Sequence, residues 1–227
     1  IVQTKYPEYP LQNVIQFSGG ATLERHSNVF RLNSSVDPTA SFGKSQRSDT
    51  ILTGNLGMVV DREASLQRLR LELRLTPTAY QTYSSLNSLG YLVAPKLDWA
   101  IGSALYGDIG ARLSQAPSSF VGNTLATTSG GTTQFIGSDI NLEKRNLLFF
   151  TGGLRMTPNW SVFGRVDRET LDNSLNLSYF KSANYTATGT EGGIRFEPGT
   201  GTELSLLGRH TKADYPNLQD TSYVGST

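Results

Sequence analysis

Apolar and polar residues alternate with period two over much of this chain. Leu69, Leu71, Leu73 and Leu75 fall on one face, and Arg70, Glu72 and Arg74 on the other. Successive side chains of a strand point to opposite faces, whereas a helix would scatter those four leucines. The run before it repeats the pattern, with Leu52, Gly54, Leu56, Met58 and Val60 opposing Thr53, Asn55 and Gly57. The polar stretch Asp61-Arg62-Glu63-Ala64 between them predicts a hairpin turn. Three more short connections are predicted: Pro95-Lys96-Leu97-Asp98, Thr157-Pro158-Asn159, and Glu197-Pro198-Gly199-Thr200-Gly201. They are rich in the residues that supply turn geometry.

The intervening connections, 33–47, 114–140 and 171–184, are long and polar; only 82–87 is short. The pattern predicts about nine strands, roughly 15–31, 48–60, 65–80, 87–95, 99–113, 142–156, 160–169, 184–197 and 202–213. Short turns then gather at one end of an antiparallel sheet and long loops at the other. Transmembrane barrels have this asymmetry. The expected fold is therefore all-β, an antiparallel up-and-down transmembrane β-barrel formed by a single domain over residues 1–227.

Face parity extends the pattern. One face carries Arg68, Arg70, Arg74, Arg112, Arg145, Arg155, Arg165, Arg195 and Arg209 with Glu24, Glu72, Asp108, Asp167, Glu191 and Glu203. Tyr106 and Phe163 share that face. Lys is scarce in these segments, and guanidinium groups suit confined sites because they pair bidentately with carboxylates. The polar face is expected to line a lumen, either satisfying itself with ion pairs or contacting a substrate. Trp99, Trp160 and Phe196 fall beside predicted short turns on the apolar face, where membrane barrels carry an interfacial girdle. In a soluble β-sandwich, the alternative, they would cap a core.

Composition narrows the function. Charged residues are 17% of the 227, with a net charge of +1, so nothing favours nucleic acid. Cysteine is absent, which excludes disulfides and thiolate metal sites. The longest apolar run, Leu147 to Phe150, is far below the roughly 20 residues of a spanning helix. Residues 1–10 lack the pattern of a signal peptide, as expected of a cytoplasmic chain or a processed one. The two histidines, His26 and His210, fit no triad or metal spacing. Asp167 and Glu169 are expected to join an ion-pair cluster with Arg165 and Arg195 rather than act in acid–base catalysis. No catalytic role, metal or cofactor is expected.

Several segments resemble the EpsL-type outer-membrane proteins of exosortase-associated exopolysaccharide operons. These are Ser27-Asn28-Val29-Phe30-Arg31-Leu32, Gln67-Arg68-Leu69, Tyr80-Gln81 with Leu86-Asn87, and Gly107-Asp108-Ile109-Gly110 followed by Ser114-Gln115-Ala116-Pro117-Ser118-Ser119-Phe120. Asn159-Trp160 and Gly193-Ile194-Arg195-Phe196-Glu197-Pro198 complete the set; His26 departs from the pattern, standing where an acidic residue is expected. The resemblance implies an outer-membrane barrel of a bacterium, engaged in export or assembly of an extracellular polysaccharide. Its implied partners are that polymer, outer-membrane lipid and other export proteins. A general porin and a secreted carbohydrate-binding β-sandwich are the other functions the pattern admits. Strand parity places the ends of the nine strands at opposite ends of the barrel. Single-chain bacterial barrels have even strand numbers, so the expectation is that the sequence is truncated at its C-terminus or that at least one strand is missing from the nine.

Overall fold

A computed structural model describes residues 13–32, 34, 37–39, 43–118, 127–129, 132–134, 140–176, 178–199, 201–218 and 222–226. Ser119 and Phe120 of the resembling segment, and much of the two longest connections, lie outside the described residues. Ten strands form one antiparallel sheet in chain order: β1 (Val14–His26), β2 (Asp49–Ala64), β3 (Gln67–Tyr80), β4 (Ser88–Ile101), β5 (Leu105–Pro117), β8 (Leu142–Arg155), β9 (Trp160–Asn173), β10 (Tyr185–Phe196), β11 (Leu204–Asp214) and β12 (Ser222–Ser226). A separate hairpin of β6 (Thr127–Ser129) and β7 (Thr132–Gln134) interrupts the connection between β5 and β8. Besides the helical residue Thr39, the described helix is one α-turn, Ser178–Lys181, and one 3₁₀ turn, Ser84–Leu86. The sheet is all-β, up-and-down and open. Its edge strands are β1 and β12, and no described ladder joins them.

Two predicted turns are strand instead. β2 continues through Asp61-Arg62-Glu63-Ala64 and turns at Ser65-Leu66, with Ala64 opposite Gln67 and Ser65 at φ 58°. β4 continues through Pro95-Lys96-Leu97-Asp98 and turns after Ile101, where Gly102 takes φ 60°. Alternation explains both. Val93, Pro95, Leu97, Trp99 and Ile101 hold one face, and Ala94, Lys96 and Asp98 hold the other. Pro95 lacks an N–H, and the β4–β5 register skips Ala94 and Pro95 before resuming at Lys96 and Gly110. The missing donor thus costs a local gap and not the strand. β12 is a tenth strand where the sequence reading placed none; its residues pair with His210–Asp214.

The two faces are sorted by exposure in the reverse of a water-soluble sheet. Apolar side chains point outward into the open: Phe17 is 74% exposed and Leu206 71%, with Ile101, Leu148, Leu154 and Ile194 on the same side. Around Asp61 and Asp167 the polar face is shielded by its own side chains, while Arg74 and Arg145 on the same face are half exposed or more. Asp61 is 2% exposed and the Asp167 side chain 10%. Contacts between elements run only between ladder neighbours, apart from the 3₁₀ turn against β3 and the α-turn against β9. Among the described residues no second layer covers either face, as a sandwich would require.

The buried apolar cluster lies at the loop end, not between layers. Val29, Phe30 and Leu32 from the β1–β2 connection meet Tyr83 and Leu86 from the β3–β4 connection. Phe30 packs edge-on to Tyr83 with centroids 4.8 Å apart. Asp49 ties the cluster to the sheet by accepting from the Thr82 and Tyr83 N–H groups at 2.8 and 3.0 Å. Burial raises the pKa of the Tyr83 phenol, and the Asp49 charge adds to the shift.

A second loop-end anchor is built from asparagine. Asn141 Nδ2 donates to Asn173 Oδ1 at 2.7 Å, and Asn173 Nδ2 donates to Asn184 Oδ1 at 2.9 Å and to the Phe180 carbonyl at 3.1 Å. Each amide is almost wholly buried. Asn173→Ala leaves several of these groups unpaired and should cost about 2 kcal/mol. Amide exchange across the connection between β9 and β10 should accelerate; unchanged exchange there would remove the anchor role.

Candidate functional site

The registers bring the predicted lumen residues to one face. Opposed residues of an antiparallel pair share a face, so a transverse row can be followed from strand to strand. One row reads Glu63, Arg68, Asp98, Asp108, Thr151, Arg165, Glu191 and Arg209. The adjacent row reads Asp61, Arg70, Lys96, Gly110, Phe149, Asp167, Gly189 and Thr211. A third row, on the turn side, holds Ala100, Tyr106, Gly153, Phe163, Gly193 and Leu207. The wall is thus a charged belt next to an aromatic row.

Ion pairs knit the belt in two clusters. On the first strands, Arg68 grips Asp61 through two contacts of 2.8 Å. Arg70 meets Asp98, and Lys96 bridges Asp98 at 2.8 Å and Asp108 at 3.0 Å. On the later strands, Asp167 accepts from Arg209 at 2.9 Å and from Arg165 at 3.3 Å, while Arg209 also reaches Glu191 at 3.4 Å. Of the expected cluster of Asp167, Glu169, Arg165 and Arg195, only the Asp167–Arg165 contact forms, and Arg209 is the principal cation on Asp167. Glu169 sits apart, accepting from the Tyr185 hydroxyl at 2.8 Å and 3.6 Å from Arg145. Arg195 pairs with Glu203 at 3.0 Å. Glu72 and Arg74 pair with each other at 2.9 Å. Arg112 lies on the same face opposite Leu147, and its guanidinium has no ion-pair or hydrogen-bond partner among the described residues.

Aromatic rings on this wall carry guanidinium groups. Arg155 lies 5.2 Å from the Tyr106 centroid, Arg195 5.3 Å from Phe163, and Arg165 4.7 Å from Phe149. Glycines let the larger groups lie flat. A Cβ on Gly110 would meet the Phe149 ring at 2.6 Å, and one on Gly189 would meet Arg209 Nη2 at 2.5 Å. Tyr106 lies over Gly153 in the same way.

Asp61, Lys96, Asp98 and Phe149 belong to the wall and escaped the sequence reading. The first three were placed in turns, and Phe149 sits inside an apolar run. Unbroken parity through Pro95 and Ala64 was the signal that could have found them.

On the opposite face Trp160 and Phe196 stand across the ladder with rings 4.7 Å apart. Trp99 sits two residues before the end of β4, not beside the turn first assigned, and stacks on Phe150 at 6.1 Å. All three predicted girdle aromatics are on the exposed face towards the short-turn end. No described group of His, Cys, Asp and Glu could hold a metal ion, and no described helix is long and apolar enough to cross a membrane. A scan against family models and searches of curated proteins and of solved structures found no match.

Proposed function

We propose that this chain forms the wall of an outer-membrane β-barrel that takes part in exporting or assembling an extracellular polysaccharide. The observation that carries the membrane part is the inverted exposure: apolar residues on the open face, ion-paired residues on the shielded one. A buried Leu or Phe contributes about 1.5–3 kcal/mol only when it leaves water. On this sheet that term falls to whatever covers the exposed face, and lipid is the covering that needs no second protein layer. The girdle aromatics and the grouping of short turns at one end support the same reading.

The polysaccharide part rests on the wall and on the resemblance to EpsL-type proteins. A neutral-to-charged sugar polymer is held by many weak, exchangeable hydrogen bonds. Guanidinium and carboxylate groups laid flat on a wall supply donors and acceptors in alternation. Self-satisfied pairs such as Asp61–Arg68 favour a second reading, a general porin whose charges serve the barrel itself.

Three measurements test the proposal. The purified protein should need detergent to stay monodisperse; a monodisperse protein without it would sink the membrane part. Deleting the gene should abolish surface polymer while leaving lipid-linked precursor, and unchanged surface polymer would refute export. In planar bilayers, the host's own polymer should reduce small-ion conductance; indifference to it would leave the porin reading.

A further inference from the structure

The exposed face is not apolar throughout. On β9 it reads Trp160, Val162, Gly164 and Val166 from the turn end, and then Arg168. On β11 it reads Leu204, Leu206, Gly208 and His210, and then Lys212. On β10 between them it reads Phe196, Ile194, Gly192 and Thr190, and then Thr188. The registers set Arg168, Thr188 and Lys212 opposite one another in a single row. All three are exposed. The ion pairs seen among the described residues involve other side chains, carried by the polar face and the turns that border it. Neither Arg168 nor Lys212 is in any of them. The carboxylates on this face nearest in sequence, Asp172 and Asp214, stand farther towards the loops.

The depth of this row is informative. Eight residues separate Trp160 from Arg168, about 26 Å along a strand at ~3.3 Å per residue. At the usual tilt that is roughly 20 Å across the membrane, close to the ~25 Å height of an apolar band. The row therefore falls at the loop-end boundary of the band, where long cationic side chains extend to the interface. Two strand spacings, about 10 Å, separate the backbones of Arg168 and Lys212. Both side chains can converge on one phosphate there, with the Thr188 hydroxyl as a third donor.

We propose that Arg168, Thr188 and Lys212 form an outward-facing site for the phosphate of a phosphorylated glycolipid, lipid A, in the outer leaflet. The inference rests on the membrane reading above. Loop ends of such barrels face the cell exterior, and the leaflet there presents lipid phosphates beside the barrel wall. Arg168 and Lys212 at the band's edge make no ion pair with the carboxylates of this face, and a lipid phosphate supplies a counter-charge in the row itself.

The test uses the full chain in neutral detergent. Bisphosphorylated lipid A at about a hundred times its Kd should raise Tm by roughly 5–11 °C. The same lipid stripped of phosphate should not, and inorganic phosphate at millimolar concentration should not. R168Q/K212Q should bind lipid A at least tenfold more weakly while keeping wild-type heat-modifiable mobility on gels. Equal stabilisation by the dephosphorylated lipid, by inorganic phosphate, or of the double variant would overturn the site. A protein that is monodisperse without detergent would overturn the membrane reading itself, a separate outcome from insertion without phosphate selectivity.

Discussion

Arg68→Gln should destabilise the protein by about 3 kcal/mol, the cost of leaving a sealed carboxylate without its cation. Asp61 is 2% exposed, and its described side-chain bonds are the two that Arg68 donates at 2.8 Å. Glutamine keeps part of the length and one donor but not the charge or the fork. The partner change Asp61→Asn in the same chain removes the stranded charge, so the double variant should recover most of the loss. Urea unfolding in micelles of the two single variants and the double variant measures this directly. Purely additive losses would mean that the pair is not a coupled unit.

Gly107→Val should cost a similar amount, about 3 kcal/mol, for a steric reason. Gly107 faces Trp99 across the β4–β5 ladder. A Cβ there would stand 2.6 Å from the Trp99 ring and would also press on the Thr151 carbonyl. Neither neighbour can yield cheaply, because one is backbone and the other is stacked on Phe150. Trp99 should leave its seat, which a W160F background reports as a shift in the emission of the remaining tryptophan. Unchanged emission with a wild-type unfolding midpoint would show that the glycine is not a socket for that ring.

The alternation of residues made most of the sheet legible. Leu69 to Leu75 fixed the parity of β3, and the same parity placed every predicted wall residue, from Arg70 to Arg209, on one face. Turn chemistry misled where polar residues clustered inside a strand. Pro95-Lys96-Leu97-Asp98 has a turn's composition, but Lys96 and Asp98 are inward-facing ion-pair partners of Asp108 and Arg70. Asp61 was misread for the same reason. Local composition cannot report a partner that lies on the next strand. The Asn141–Asn173–Asn184 anchor was invisible for a related reason: three asparagines far apart in sequence look like loop residues until the ladders bring them together. Closure of the sheet stays with the proposal, since β1 and β12 are open edges in the described residues.

The inverted wall also sets an order of events for biogenesis. A soluble domain hides its greasy side as it collapses, and the chain protects itself. Here the shielded side is held by ion pairs that form only once the strands are in register, while the greasy side, under the proposed function, gains nothing until lipid arrives. On the membrane reading, the chain in transit has no self-contained resting state, and two such sheets meeting in water would bury their leucines against each other. Escort by a holding chaperone is then part of the folding problem posed by the sequence, and the rate of aggregation without an escort should track the exposed leucines far more than the buried charges.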